Sequence, residues 1–150
     1  MVNGLLYLWA RNAANSQLAR SRDHGATWTW ADWKFASSFG CPTFLNFGRN
    51  YTGARDEFVY VYFPDSNSAY ETSDHLVLAR APKERIHQRE AYEFFGGFDP
   101  SGGPKWTPDL DRRAAVFTHP GRCYRSSVPY SAALRRYLLV QTDSLPCVFG

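Results

Sequence analysis

Short apolar runs separated by turn-forming residues dominate the sequence, and they predict strands in preference to helices. Most runs span only a few residues, as strands do, and several alternate aromatic with polar side chains. Aromatic residues make up 17% of the chain, which also favours strands. The predicted strands lie at 5–10, 17–21, 29–35, 42–47, 58–63, 75–80, 105–107, 114–117, 123–128 and 136–141.

A single segment, 82–95, has a different pattern and predicts one short helix. It starts behind Pro82, carries charged and apolar residues at helix-like intervals, and is followed by Gly96 and Gly97. The sequence therefore predicts an all-β chain of antiparallel sheets with one short helix.

The run from Ser21 to Trp28 predicts a tight hairpin between two strands. Asp23 offers a short acceptor for nearby backbone N–H groups, and Gly25 permits a positive φ. Thr27 can cap the turn with its hydroxyl, while Trp28 can fold its indole back over it. The alternative is an ordinary hairpin with an Asp-x-Gly turn.

This Ser-x-Asp-x-Gly-x-Thr-Trp run resembles the Asp-box of the sialidase-type β-propellers. Further segments resemble a bacterial, sialidase-like family of five-bladed propellers that includes endo-D-arabinan hydrolases; they lie at 15–19, 39–48, 59–62, 68–71, 76–83 and 116–126. The resemblance implies a propeller in which the box staples the rim of a blade, away from the substrate. It also implies a secreted or periplasmic location.

Chain length limits how much of a propeller can form. A blade takes roughly 40–50 residues and a closed propeller needs roughly four or more blades. The chain has 150 residues. We expect residues 1–150 to form one incomplete propeller domain of about two and a half to three blades, like a truncated family member, with 142–150 as a tail outside the family's pattern. Uncovered sheet edges in such a domain predict self-association, most simply as a symmetric oligomer.

Charge and motif content exclude several function classes. The net charge of +3 is too small and too scattered to indicate nucleic-acid binding. No apolar run is long enough to cross a bilayer, and the start of the chain lacks the basic and small-residue pattern of a secretory signal. Calcium loops, phosphate loops and zinc-ligand spacings are missing, so we expect no metal and no cofactor.

Two acidic residues are the candidate catalytic pair. Asp65 directly follows the aromatic strand at 58–63, and Glu71 lies six residues later. Glycoside cleavage needs two carboxylates flanking one bond, one as general acid and one as base or nucleophile. The alternative is that Asp65 makes an Asx-turn and Glu71 is a solvated loop charge, which is the commoner role for each residue type.

Polar and aromatic residues in other loops are candidates for binding a sugar. Arginine, histidine and amide side chains can hydrogen-bond sugar oxygens, and aromatic rings can stack on a sugar ring. The candidates are Asn12, Gln17, Tyr70, His119, Arg122, Tyr124 and Arg125. The arginines could instead pair with Asp109 or Asp111, the amides could cap turns, and the aromatics could pack in the core.

Two function classes remain open on these grounds. The first is a glycoside hydrolase acting on a glycan or simple glycoside, as the resemblance implies. The second is a non-catalytic carbohydrate-binding or structural propeller fragment.

Overall fold

The computed structural model describes residues 1–11 and 15–142. Over these residues the chain is all-β, and its helical elements are short 3-10 turns at Arg49–Tyr51, Arg89–Ala91 and Leu110–Arg112. The strands are β1 Leu6–Arg11, β2 Ser16–Ser21, β3 Thr29–Lys34, β4 Thr43–Asn46, β5 Phe58–Pro64, β6 Ser73–Pro82, β7 Glu93–Phe98, β8 Pro104–Thr107, β9 Ala115–Cys123, β10 Ser126–Ser131, β11 Arg136–Tyr137 and β12 Val140–Gln141.

The described strands form two sheets. β1, β2 and β3 make an antiparallel three-stranded sheet, and the others make a nine-stranded sheet in the order β11-β10-β4-β5-β6-β7-β8, with β12 beside β10 and β9 beside β6. Pairing is antiparallel except between β4 and β10, which run parallel. The arrangement is propeller-like but not closed. The predicted all-β fold of antiparallel sheets is confirmed, whereas the number of blades stays a prediction.

Aromatic side chains from both sheets form the core. Trp9 and Phe35, from the three-stranded sheet and the residue after it, meet Phe63 and Phe94 of the larger sheet around Phe39. Phe39 lies with its ring centroid 3.6 Å from that of Phe63 and 3.8 Å from that of Phe35. Burial of such large apolar surfaces is the main stabilising contribution. The segment that carries Phe39 is therefore fixed from both sides.

The prediction of a helix within 82–95 is wrong for most of that segment. One 3-10 turn, Arg89–Ala91, lies within it, and β7 begins at Glu93. Phe94 pairs with Ala79 of β6 and is fully buried. The reason is tertiary: aromatic residues that fill a core between two sheets adopt the strand conformation, and this outweighs the weak local spacing. Gly96 and Gly97 accordingly lie inside β7 instead of ending a helix.

The loop between β2 and β3 is held by bonds among its own residues. Asp23 Oδ1 accepts from the Thr27 backbone N–H at 2.9 Å, and Asp23 Oδ2 accepts from the Thr27 hydroxyl at 2.6 Å. Trp28 donates its indole N–H to the Gly25 carbonyl at 3.1 Å, and Gly25 has φ 95°. Hydrogen bonds from the Thr27 side chain and backbone, and from Ser21, lower the pKa of Asp23 to about 2. The turn geometry predicted for Asp23, Gly25, Thr27 and Trp28 is present.

Candidate functional site

The candidate site lies in the loop between β5 and β6, residues 65–72, where it packs against residues 37–40. Gly40 N–H donates to the Ser66 carbonyl at 2.8 Å, and Ser38 N–H donates to the Asn67 side-chain oxygen. Ser38 and Phe39 both have positive φ, 59° and 60°. Such backbone is costly for residues other than glycine and persists only where surrounding contacts impose it. Here the buried Phe39 ring and the facing loop impose it.

Gly40 explains how closely the two segments approach. A Cβ atom on Gly40 would lie 2.4 Å from the Ser68 backbone nitrogen and 2.6 Å from the Asn67 carbonyl carbon. Glycine is therefore required, because a side chain would collide with backbone atoms that cannot rotate away.

A broad, open cleft of about 590 Å³ lies between these segments and the end of β6. Its walls carry mainly hydroxyl, amide and charged side chains, and both predicted catalytic carboxylates line it. The lining residues are Ser37, Ser38, Asp65, Ser66, Asn67, Glu71, Thr72, Ser73, Asp74, His75 and Arg113.

Asp65 is the most firmly held carboxylate in the cleft. Its Oδ1 accepts from Arg113 Nε at 2.9 Å, from Arg113 Nη2 at 2.7 Å and from the Ser38 hydroxyl at 2.7 Å. Its backbone N–H donates to the His75 carbonyl and to the Ser73 hydroxyl. The side chains of Asp65 and Arg113 are 23% and 20% exposed. The ion pair is therefore partly desolvated, and its contacts are all made through Oδ1.

Glu71 lies in the same cleft but is exposed. Its nearest hydrogen-bond partner among the described residues is the Ser66 hydroxyl, at 3.5 Å from Oε2. The structure thus brings Asp65 and Glu71 to one cleft with very different surroundings: Asp65 is held by an arginine, whereas Glu71 is exposed and has one long hydrogen bond.

Tyr70, Tyr124 and Arg125 of the predicted binding set meet at this loop, around the carbonyl of Ala69. The Tyr124 hydroxyl donates to that carbonyl at 3.0 Å, and Arg125 donates to it from Nε and Nη2 at 3.3 Å each. The Tyr70 ring is 67% exposed and lies between the guanidinium groups of Arg11 and Arg125, 5.4 Å and 5.8 Å from its centroid. These three predicted binding residues form one cluster with an exposed aromatic face.

Gln17, His119 and Arg122, like the Tyr70 cluster, are not among the residues that line the cleft. Gln17 donates its amide N–H to the Ala31 carbonyl at 2.6 Å, on the three-stranded sheet. His119 is exposed on β9, where its carbonyl accepts from the Cys123 thiol. Arg122 is half-buried and has interactions of its own. Asn12, like the tail beyond residue 142, lies outside the described residues.

Sequence reasoning missed Arg113 and Ser38. Arg113 contacts Asp65 across 48 positions of sequence, and Ser38 contacts it across 27. No local pattern marks such a pair, because the contact exists only after β5, β6 and β9 have assembled. Asp109, the alternative partner considered for the arginines, accepts from the Asp111 backbone N–H through its side chain.

Asp74 and His75 of β6 were also missed, although they open a strand beside predicted loop residues. Asp74 Oδ1 accepts from the Gly121 backbone N–H at 2.7 Å, and His75 Nδ1 lies 3.1 Å from the Thr118 hydroxyl. Both contacts join the cleft wall to β9. One signal in the sequence could have identified them: an acidic residue and a histidine stand at the start of the strand that directly follows the candidate loop.

No group of ligating side chains suited to a metal ion occurs among residues 1–11 and 15–142. Within the same residues, no helix combines the length and apolar character needed to span a membrane. Comparison with models of known protein families, and with curated proteins, finds no match to this chain.

Proposed function

We propose that this chain is a glycoside hydrolase whose carboxylates Asp65 and Glu71 act on a sugar bound in the cleft. The observation that supports it is the shared cleft: two carboxylates predicted as a pair line one open cavity whose other walls are rich in hydroxyl and amide groups. Such groups match the hydrogen-bonding demands of a glycan.

The two carboxylates suit different steps. Arg113 lies 2.7 Å from Asp65 Oδ1 and stabilises negative charge there, so Asp65 is the group that activates water or attacks the anomeric carbon. Glu71 is the general acid that protonates the leaving oxygen. Its exposed carboxyl group lines the cleft, where the leaving oxygen of a bound glycan can reach it. Tyr70, in the same loop as both carboxylates, provides an exposed aromatic face on which a neighbouring sugar ring stacks.

The resemblance to sialidase-like propellers is part of this proposal. We infer that the two sheets represent about two and a half to three blades of such a propeller, that the 21–28 loop is its Asp-box, and that the protein is bacterial. The propeller-like arrangement supports this inference, as does the hydrogen-bonded turn of that loop.

The test is hydrolysis of arabinan and of a panel of chromogenic glycosides. Asp65→Asn and Glu71→Gln are each expected to lower kcat by at least about a hundredfold, because each removes a group that transfers a proton or forms a bond. Asp32→Asn and Glu84→Gln, at exposed positions outside the cleft, are matched controls and keep wild-type rates. Full activity in both cleft variants would place the chemistry elsewhere.

A second candidate is carbohydrate binding without catalysis. One observation favours it: three hydrogen bonds already occupy Asp65 Oδ1, which is the pattern of a carboxylate that fixes a loop. In that case wild type hydrolyses none of the glycosides, while a glycan still binds and Tyr70→Ala weakens that binding. Calorimetry with an unhydrolysed arabinan oligosaccharide separates the two functions.

We also propose that copies of the chain associate through their uncovered edges. β1 and β3 are the outer strands of the three-stranded sheet, and Leu138, Leu139 and Val140 are exposed beside β11 and β12. Unpaired edges and exposed apolar groups favour association. Light scattering coupled to size exclusion at micromolar concentration tests it: a mass of twice 17.1 kDa or more is expected, and a stable monomer would contradict it.

A further inference from the structure

A second cavity, which shares no lining residue with the carboxylate cleft, lies between the β2–β3 ribbon and the segment that precedes β7. It has a volume of about 250 Å³, roughly eight times the share of one water molecule in the liquid. It therefore has room for a small polar group with a short substituent. The lining residues are Leu18, Ala19, Arg20, Thr29, Trp30, Ala31, Asp32 and His87.

Strand register separates the side chains that reach this cavity from those that do not. Arg20 pairs directly with Thr29, so their side chains share one face of the ribbon, the face that also carries the buried Leu18. Ala19 pairs with Trp30, which places Trp30 on the other face, and the register shifts between Gln17 and Ala19, opposite Asp32. The polar donors of the cavity are therefore Arg20 and Thr29 of the ribbon together with His87.

Arg20 is half-buried and, among the described residues, lacks the acidic partner that Arg80 and Arg113 have. Arg80 lies 2.7 Å from Glu93, and Arg113 lies 2.7 Å from Asp65. Among the described residues neither Arg20 nor Arg22, the residue that directly follows β2, lies in an ion pair, although Asp32 also lines the cavity. Unpaired positive charges near each other cost free energy that a bound anion would recover.

His87 adds a third group with an unused hydrogen-bonding atom. In the described part of the chain its Nδ1 is buried without a partner, and the residue lines the cavity. Burial lowers the pKa of His87, as do Arg20 and Arg22, against an opposing effect of Glu90. Glu90 itself has Arg85 at 3.8 Å. The imidazole is thus a neutral neighbour to the two guanidinium groups at neutral pH.

We propose that this cavity binds a small oxyanion, a phosphate or carboxylate group, through Arg20, His87 and the Thr29 hydroxyl, with the exposed Arg22 adding positive charge outside the lining. Guanidinium groups bind such oxygens with two parallel N–H donors, and the hydroxyl and imidazole N–H supply further donors. The site is separate from the carboxylate cleft and does not depend on its function.

The test is an NMR titration of the whole chain with inorganic phosphate and, separately, with acetate, at constant ionic strength in sodium chloride. The indole N–H of Trp33 is the reporter, because it donates to the His87 carbonyl at 3.0 Å. The indole of Trp106, against Arg80 on the other sheet, is the internal reference. The Trp33 signal is expected to shift saturably with a Kd of about 1 mM or tighter, while Trp106 stays unchanged.

Charge variants connect the shift to the two arginines. Arg20→Gln is expected to weaken anion binding at least tenfold. Arg20→Lys is expected to weaken it by less, because lysine keeps the charge but not the two parallel donors. Arg22→Gln replaces an exposed side chain and is expected to weaken anion binding severalfold. Arg112→Gln, at an exposed position outside the cavity lining, is the control and is expected to leave Kd within twofold. Phosphate binding tighter than acetate indicates a tetrahedral group, and the reverse indicates a carboxylate. No saturable shift with either anion, or unchanged affinity in both glutamine variants, would overturn the proposal.

Discussion

The 21–28 loop and the 65–72 loop are both turns closed by an aspartate, but their hydrogen bonds come from different distances along the chain. Asp23 is bonded by Ser21 and Thr27, at most four residues away. Asp65 is bonded by Ser38 and Arg113, which lie 27 and 48 residues away. A turn closed by its own residues forms wherever its sequence occurs. A turn closed by distant residues depends on the whole fold, and the candidate site shares that dependence.

The largest expected effect comes from separating the two segments that build the cleft. Gly40→Ala places a Cβ atom 2.4 Å from the Ser68 backbone nitrogen, and the chain must shift to relieve the collision. We expect a loss of about 3 kcal/mol or more in the free energy of unfolding. Urea denaturation measures it. Gly96→Ala is the matched control, since its Cβ meets nothing closer than 3.5 Å, and an equal loss there would refute the role of close approach.

The next effect tests the long-range pair itself. Arg113→Gln leaves Asp65 with the Ser38 hydroxyl as its charge-stabilising partner in the cleft, and we expect a loss of about 2–3 kcal/mol. Arg112→Gln, next in sequence but exposed, is expected to change stability by about 0.5 kcal/mol or less. The double variant Asp65→Asn with Arg113→Gln completes a double-mutant cycle, in which the free energy of unfolding is measured by thermal denaturation. If the losses of the two single variants add up to that of the double variant, the pair is not coupled.

A smaller effect is expected in the locally closed loop. A fully buried indole costs about 3–5 kcal/mol when truncated, but Trp28 is half-buried, so Trp28→Ala is expected to cost about 2 kcal/mol. The lost indole N–H bond to the Gly25 carbonyl contributes to that figure. Trp30→Ala, 52% exposed on the next strand, is the comparison and should cost under about 1 kcal/mol. Equal losses would remove the special role of Trp28.

The smallest effect is a pH dependence confined to the same loop. The pKa of Asp23 falls from an ordinary 3.8 to about 2 in the folded chain, so the stabilisation by its charged form is complete above about pH 4. It is lost as pH falls through about 2. Those pKa values set the range to measure, from about pH 5 to about pH 2. The denaturation midpoints of wild type and Asp23→Asn should differ at about pH 5 and converge as the pH approaches about 2. A constant difference across this range would contradict the assignment.

Strand positions followed from the sequence because alternation and aromatic content act over neighbouring residues. The predicted strand 58–63 corresponds to β5 Phe58–Pro64, and 29–35 corresponds to β3 Thr29–Lys34. The segment 82–95 failed because its spacing was weak while Phe94 and Phe95 were needed in the core, which only the packing of two sheets defines.

The sequence by itself determined the all-β class, the position of most strands and the turn at Asp23, since each depends on interactions within a few residues. It also placed Asp65 and Glu71 in one loop. Only the tertiary structure decided that Arg113 and Ser38 hold Asp65, that Gly40 has no space for a side chain, and that Arg20 meets His87 beneath the β2–β3 ribbon. These contacts join distant segments, and their energies exist only once the chain has paid the entropy of bringing those segments together.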